Sequence, residues 1–449
     1  MPHELVPYIL GILLLVTGRH FLKKNDELPI FLVVFNILVE GRIFALKNGY
    51  AEWIRFDYGI RFDFSMESAY TVSGLICLGT LVMVTTYLLL YKDQREIKKR
   101  DTAELFKAFI AKNKMRIVVG FFVFFLFQMV LGASLSKGYS FLLTLATTSF
   151  IILLFLLVYY TRTSMGEKIV FGIFFLVLAV GTYGAGLRFQ FLGWLIPIAV
   201  FLTRKMTPRS KMILFGSSAF YIIVLFSVAG VIRGSYTLKD DVSMLYDAAI
   251  GRMLAFEDVN FIDGFMMVHQ VYPEHLDYHY GIDHLGIIAR PVPRTWWPGK
   301  PHGGWHQKFA AKYDLGYEFS TGISPTIFGV FYGEGGKWGI VIFSVVWAWM
   351  FWKIKSYTAN FDVGLEYLLK GVLIAALVPI YRSGDLAGDV AIVGMSFWPL
   401  FLFIYQYNKF IKTQPVTSST HGEGESTEME VKNNLPAHHA DNPFVINKN

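Results

Sequence analysis

Phe141-Leu-Leu-Thr-Leu-Ala-Thr-Thr-Ser-Phe-Ile-Ile-Leu-Leu-Phe-Leu-Leu-Val-Tyr-Tyr160 runs from end to end without a charge. At 1.5 Å of rise per residue, an α-helix of about 20 apolar residues crosses the ~30 Å hydrocarbon core of a bilayer. Runs of the same kind recur near 5–18, 29–46, 68–91, 117–135, 169–185, 189–203, 212–232, 325–352, 364–381 and 388–408. This pattern sets the expected fold class: all-α, a polytopic integral membrane protein with about 11 transmembrane helices. The run 189–203 is short. The run 325–352 is long and interrupted by glycine, as expected of a re-entrant piece joined to a helix.

Composition agrees. The 449 residues are 54% hydrophobic and 17% charged, against about 45–50% and about 25% for a soluble domain. The formal charge of +7 does not point to nucleic acid, because basic loops on one membrane side account for much of it. Cys77 is the only cysteine and lies in an apolar run, which excludes an intrachain disulfide. The start, Met1-Pro-His-Glu-Leu5, has no cationic region of the kind that opens a cleavable signal peptide.

Charge in the connections orients the chain. Arg19, Lys23 and Lys24 follow the first run, and Lys92, Arg95, Lys98, Lys99, Arg100, Lys107, Lys112 and Lys114 follow the third. Arg162 and Lys168 follow the fifth, Arg204, Lys205, Arg209 and Lys211 the seventh, Lys353 and Lys355 the ninth, and Lys409 and Lys412 the last. With alternating spans and an outside N-terminus, all of these fall on one side, which the positive-inside rule makes cytoplasmic. The expected organisation is therefore N-terminal transmembrane helices over 1–232, a large external loop over 233–324, C-terminal transmembrane helices over 325–408, and a cytoplasmic tail over 409–449. That tail is rich in Ser, Thr, Glu and Asn and is expected to be disordered.

Arg188, Arg233, Arg290, Arg294 and Arg382 then lie outside, against the bias. Snorkelling at helix ends explains single cases; five on one face suggest a shared anionic ligand. Glu40 and Arg42 are the main charges inside a span, expected to pair within one helix or to line a cavity.

The external loop is amphipathic first. Apolar residues at three- and four-residue spacing over 243–272 fit two helices on the membrane surface, or packing helices of a small external domain. Six of the eleven histidines lie between His269 and His306, yet no metal motif is present. Interleaved Tyr, His and acids also suit a sugar-binding surface, with Glu257, Glu274, Asp277, His279 and Asp283 as candidate bases for a sugar hydroxyl. Next comes Arg290-Pro-Val-Pro-Arg-Thr-Trp-Trp-Pro-Gly-Lys-Pro301. Its prolines hold it extended, and Trp296 and Trp297 suit headgroup depth. Arg290, Arg294 and Lys300 beside Gly299 suit a diphosphate. Glu334, in Gly333-Glu-Gly-Gly336, is expected to partner an arginine or to face solvent.

The order Gly186-Leu-Arg-Phe189, Tyr280-Gly281, Pro293-Arg-Thr-Trp-Trp-Pro-Gly-Lys-Pro301, Gly322-Ile-Ser-Pro-Thr326, Gly335-Gly336 and Tyr381-Arg382 resembles the bacterial oligosaccharide repeat-unit polymerases, the Wzy-type O-antigen polymerases. Within them it is similar to the polymerases of enterobacterial common antigen. The motifs cover about 186–190 and 257–382; over the rest only the hydropathy profile is similar. The resemblance implies a GT-C-like membrane glycosyltransferase at the outer face of the inner membrane. Such an enzyme moves a growing glycan from undecaprenyl diphosphate to the non-reducing end of a lipid-linked repeat unit, with no cofactor and no metal. A flippase and a chain-length regulator are its implied partners; nucleic acid is not. Carried onto this chain, Arg294, Arg290, Arg188 and Glu257 serve catalysis, Arg294 first among them. Arg382, Arg233, Trp296, Trp297, Lys300, Tyr280, His279 and Ser324 bind substrate. Arg290 departs from the usual pattern, which often has an apolar residue there. Two other readings stay open, an O-antigen ligase of similar architecture and a lipid-linked oligosaccharide flippase or transporter.

Overall fold

The computed structural model describes residues 2–53, 62–92, 103–132, 137–161, 164–184, 188–234, 242–255, 260–290, 292, 296–297, 299, 303–315, 324–382 and 384–413. The tail beyond 413, and with it the expectation of disorder there, lies outside the described residues.

Among the described residues the chain is helical: α1 (Val6–Lys24), α2 (Leu28–Lys47), α3 (Met66–Lys92), α4 (Ala103–Lys112), α5 (Lys114–Gly132), α6 (Lys137–Tyr160), α7 (Met165–Gly184), α8 (Arg188–Leu202), α9 (Pro208–Gly234), α10 (Val242–Leu254), α11 (Phe261–Val271), α12 (Ile282–Ala289), α13 (Gly304–Tyr313), α14 (Thr326–Thr358), α15 (Val363–Arg382) and α16 (Leu386–Thr413). Each apolar run read from the sequence falls on one of these helices. Six of them, α1, α2, α3, α14, α15 and α16, are long and apolar enough to cross a membrane. Such a chain is a helical membrane protein.

Local chemistry sets the boundaries. Pro7, Pro29 and Pro208 stand in the first turns of α1, α2 and α9, where no intrahelical N–H is lost. Asn25 ends α1 in the left-handed region. Ser164 and Glu167 form a capping box on α7, each side chain accepting the other's backbone N–H at 3.2 and 2.9 Å. Asp362 accepts the amides of Gly364 and Leu365 and so starts α15.

Two apolar cores share α15. One gathers α1, α2, α3, α11, α13 and α14. The other gathers α4, α5, α6, α8 and α16. Leu377 and Ile380 of α15 belong to the first, Leu365, Leu368 and Leu369 to the second. α15 and α8 touch backbone to backbone at Gly371, where an added Cβ would sit 2.5 Å from the Cα of Pro197. Small residues at such crossings allow the close packing that holds helices together in lipid.

Charge collects at the two ends of the bundle. At one end the turn between α1 and α2 is a buried junction. Asp26 accepts from Lys355 Nζ at 2.8 Å and from Tyr87 Oη at 3.0 Å, with His20 at 3.3 Å. Burial alone would raise the Asp26 carboxyl, but Lys355, His20 and Lys370 outweigh it and hold it well below the ordinary carboxylate range. Lys211 donates to Asn25 and Glu27, and Lys370 to the Asn25 carbonyl. One three-residue turn thus ties α3, α9, α14 and α15 to the α1–α2 hairpin.

At the other end, Arg42 and Glu40 do not pair with each other. Glu40 meets Ser73 Oγ at 2.5 Å and His3 at 3.3 Å. Arg42 reaches Asp263 of α11 at 3.0 Å and the carbonyls of Ala255 and Glu52, both at 2.7 Å. Of the two readings of 243–272, helices on the membrane surface or packing helices, this bond favours packing for 261–271. α11 is buried nearly all round, Phe261, Phe265, Met266 and Met267 included, between α2, α3 and α14. It is a core helix whose one acid is met by one cation.

Burial pushes the Asp263 carboxyl up to about 6 against the opposing pull of Arg42. Removing Arg42 removes the cation that lowers it, so the carboxyl rises further. A group raised on folding contributes stability below its unfolded pKa and loses it as pH rises through the folded value. Arg42→Met is therefore expected to cost about 3–5 kcal/mol above that pKa, where a buried carboxylate stands uncompensated. The loss shrinks as pH falls through it. Thermal unfolding in detergent across pH checks this, and a loss that does not change with pH would refute it.

Candidate functional site

The second end of the bundle also carries a break in a helix. Within α14, Gly335 and Gly336 leave helical geometry, Gly336 at φ 62° and ψ −141°. An L side chain is strained at that φ, and a Cβ there would lie 3.0 Å from the Tyr278 hydroxyl, so glycine is required twice over. A broken helix leaves carbonyls without their own amides. Here the chain before α12 supplies them: His279 N–H donates to Gly333 O at 3.0 Å and Tyr280 N–H to Glu334 O at 2.8 Å.

Glu334 completes the joint. It is 1% exposed, and its carboxylate accepts the Gly281 amide, the His284 amide at 3.2 Å and His284 Nδ1 at 2.9 Å. It is therefore neither an arginine's partner nor a solvated acid. It caps α12 from another helix, where α12's own N-cap residue, Gly281, has no side chain to do so. Trp347 fixes the histidine tautomer. An indole N–H only donates, so His284 Nε2, 3.1 Å away, accepts and Nδ1 carries the hydrogen bonded to Glu334. The His284 ring stacks on Phe343, centroids 3.9 Å apart.

α12, held in this way, forms one wall of a cleft. Its lining includes Tyr272, Asp283, Gly286, Arg290, Gly303, Trp305, Gly329, Gly333 and Asp385. The cleft encloses about 30 Å³, room for about one or two waters. Glycines make it; side chains at those positions would fill it or push into its walls. A Cβ at Gly303, for example, would lie 2.8 Å from Asp385 and 2.9 Å from Arg290.

Two polar groupings reach this space through the lining residues Tyr272, Asp283, Arg290 and Asp385. In the first, Asp283 bonds Lys308 and lies 3.1 Å from His279 Nδ1, while Tyr272 Oη stands 3.3 Å from His279 Nε2. Lys308 Nζ is also 2.9 Å from Nδ1. Burial would raise Asp283, but the His279 bond and the Lys308 charge prevail and hold it below the ordinary range. Burial, with Asp283 and Glu334 nearby, raises Tyr272, which stays a protonated donor. In the second grouping, Arg290 at the end of α12 pairs with Asp385 at 3.3 Å. Asp385 also caps α16 through the Gly388 amide at 3.1 Å. His306 follows the lining residue Trp305; burial lowers it toward the neutral form, Asp385 opposing. Its Nδ1 is buried with no hydrogen-bond partner among the described residues.

The residues expected from sequence are spread around this end. Arg290 lines the cleft at the end of α12, while His279, ahead of α12, is outside the lining and meets the lining residues Asp283 and Tyr272. Arg382 ends α15 with its guanidinium over the rings of Phe189 and Phe261, at 5.4 and 5.7 Å. Arg188 opens α8 next to Phe189, and Arg233 stands beside the last residue of α9; of these two only the helical position is described. Tyr280, Trp296 and Trp297 are exposed and outside the lining, and Ser324 is half-buried ahead of α14. Arg294, Lys300 and Glu257 lie outside the described residues. Glu274 and Asp277 are exposed and do not line the cleft.

Sequence reasoning missed Tyr272, Lys308, Asp385 and the capping role of Glu334. Asp385 was detectable, because an Asp just ahead of the apolar run of α16 is an N-cap signature. Lys308 carries no such signal. The clustered histidines do not converge: His275 bonds Tyr313, while His279 and His284 have the separate partners given above. Among the described residues no three His, Cys, Asp or Glu side chains are placed to hold a metal.

Comparison of the chain with protein-family models, curated proteins and solved structures gives no match.

Glu334→Gln tests the joint. An amide offers one acceptor oxygen and sets an N–H against amides that need acceptors. Charge-assisted bonds of this kind are worth about 1.5–3 kcal/mol, so exchange at the Gly281 and His284 amides is expected to speed up by about 10–100-fold. Unchanged protection by hydrogen exchange would remove Glu334 from the cap.

Proposed function

We propose that the chain is a membrane glycosyltransferase of the repeat-unit polymerase class, transferring a growing glycan from undecaprenyl diphosphate to a lipid-linked repeat unit. The observation that carries this reading is the set of groups at and beside the cleft: the His279 imidazole, the half-buried Asp283 carboxylate and the cations Arg290 and Lys308, gathered by the loop that also holds the Pro/Trp/Arg segment. The motif resemblance names the substrate class, and the cleft offers chemistry suited to it.

In this reading the acceptor's hydroxyl oxygen attacks the anomeric carbon of the donor glycan. A new C–O bond forms as the bond to the diphosphate oxygen breaks. His279 Nε2 takes the hydroxyl proton, with Asp283 holding Nδ1–H, as an oriented general base requires. The electron pair leaves with undecaprenyl diphosphate. Arg290, Lys308 and the Arg294 segment supply positive charge where negative charge develops on that leaving group. The His306 nitrogen and Tyr272 hydroxyl suit sugar hydroxyls.

Eleven spans, an outside N-terminus and a GT-C-like arrangement belong to the same proposal. Alternating spans put α11–α13, the start of α14 and residues 384–389 together on the outer side, at the inner membrane's periplasmic face. They put Asp26, Lys355 and Lys370 on the cytoplasmic side, and the two charge groupings do lie at opposite ends of α14. From Gly336 to Lys355 that helix rises roughly 28 Å at 1.5 Å per residue, close to the hydrocarbon thickness.

The test uses purified protein in nanodiscs with lipid-linked repeat units, and products resolved by size. Wild type is expected to give a ladder on undecaprenyl diphosphate spaced by one repeat. Arg294→Ala should stall at one repeat, and His279→Gln should slow extension by about 10²–10⁴-fold. A folded wild type that makes no ladder, but transfers glycan to a lipid A–core acceptor, would move the assignment to a ligase.

A further inference from the structure

A second hollow lies between α6 and α7, away from the cleft. Ile151, Leu154, Phe155 and Val158 form one side, and Phe171, Phe175 and Leu178 the other, with Gly172 between. Its volume is about 220 Å³, well above the ~10–15 Å³ that one water needs. The walls are apolar, so ordered water has nothing to bond to. Only one lining residue is charged, Lys168, which stands at one end.

Three features point to the occupant. First, length: from Lys168 to Leu178 α7 rises roughly 15 Å, half of the ~30 Å hydrocarbon thickness. The groove therefore has the depth of one leaflet. Second, charge: Lys168 has no acidic partner among the described residues, because the adjacent Glu167 is committed to Lys114 at 2.7 Å and to the Ser164 amide. Arg204 adds a second cation nearby. It lies over the Phe201 and Tyr159 rings, and Tyr159 packs on the groove residue Phe155. Third, space: a Cβ added at Gly172 meets nothing within 4 Å, so the hollow persists because no side chain occupies it.

We infer that this groove is a binding site for one anionic phospholipid, its acyl chain between α6 and α7 and its headgroup phosphate at Lys168. The inference rests on α6 and α7 lying in the membrane, but not on the proposed transferase chemistry. Basic pockets between membrane helices hold anionic headgroups in this manner. An acyl chain gains favourable burial with each methylene it places against the groove.

Native mass spectrometry tests it on the full chain, released from nanodiscs containing equal phosphatidylglycerol and phosphatidylcholine. Wild type is expected to retain one phosphatidylglycerol. Gly172→Leu places a side chain in the groove, its Cβ meeting no neighbour within 4 Å, and should lose that lipid while keeping wild-type helicity by circular dichroism. Lys168→Gln should weaken phosphatidylglycerol retention about fivefold, the worth of one lysine at an anionic surface, and leave phosphatidylcholine unchanged. Equal retention of both lipids by wild type, no retained lipid, or full retention by a folded Gly172→Leu would each overturn it. Glycan extension is read separately, so failure here and failure of the transferase reading are distinguishable.

Discussion

The architecture of the candidate site depends on one requirement: backbone groups freed by a broken helix must find partners where water is scarce. α14 breaks at Gly335 and Gly336 in a tightly packed bundle. Its freed carbonyls, left alone, would cost several kcal/mol each in an apolar setting. The strand of chain before α12 meets them, and the Glu334 side chain then reaches back to start α12. The break, the cap and the cleft wall are thus one joint. The direction of α12 fixes where Asp283 and Arg290 stand, so cleft chemistry follows from backbone accounting several residues away.

The two ends of the bundle solve different electrostatic problems. Around Asp26 the charges are interior, with amines from three helices converging on one short turn and Glu27 Oε2 the one acid oxygen there without a hydrogen bond among the described residues. That arrangement holds helix ends together and offers nothing outward. Around the cleft the matching is looser. Arg290 shares Asp385 at the surface, and His306 keeps a buried nitrogen unbonded among the described residues. Groups left with unused bonding capacity are those able to engage a ligand.

The helices were largely legible in the sequence, because a membrane enforces length and apolarity on every span. Gly333-Glu-Gly-Gly336 also announced an interruption, and it lies where the helix breaks. What faces what was not legible. Apolar spacing over 261–271 fits a helix on a bilayer equally well as one inside a core. Only the packing of α2, α3 and α14 around it decides, along with an arginine 221 residues away in sequence. Lys308 meets Asp283 across 25 residues, and Glu334 looked like any acid near a loop. Partnerships set by tertiary approach leave no local pattern, which is why the cleft's residue types were recognisable while its working group was not.

α15 carries a consequence for how the protein is made. Both apolar cores are completed by this helix, and α16 closes the second. Ribosomes deliver these two segments after the helices they pack against. Until they enter the bilayer, the helices already inserted have unfinished interfaces, with the face of α8 that receives Gly371 turned toward lipid. The earlier helices must therefore wait as loosely associated units, and the two cores set into one body only when α15 and α16 have entered.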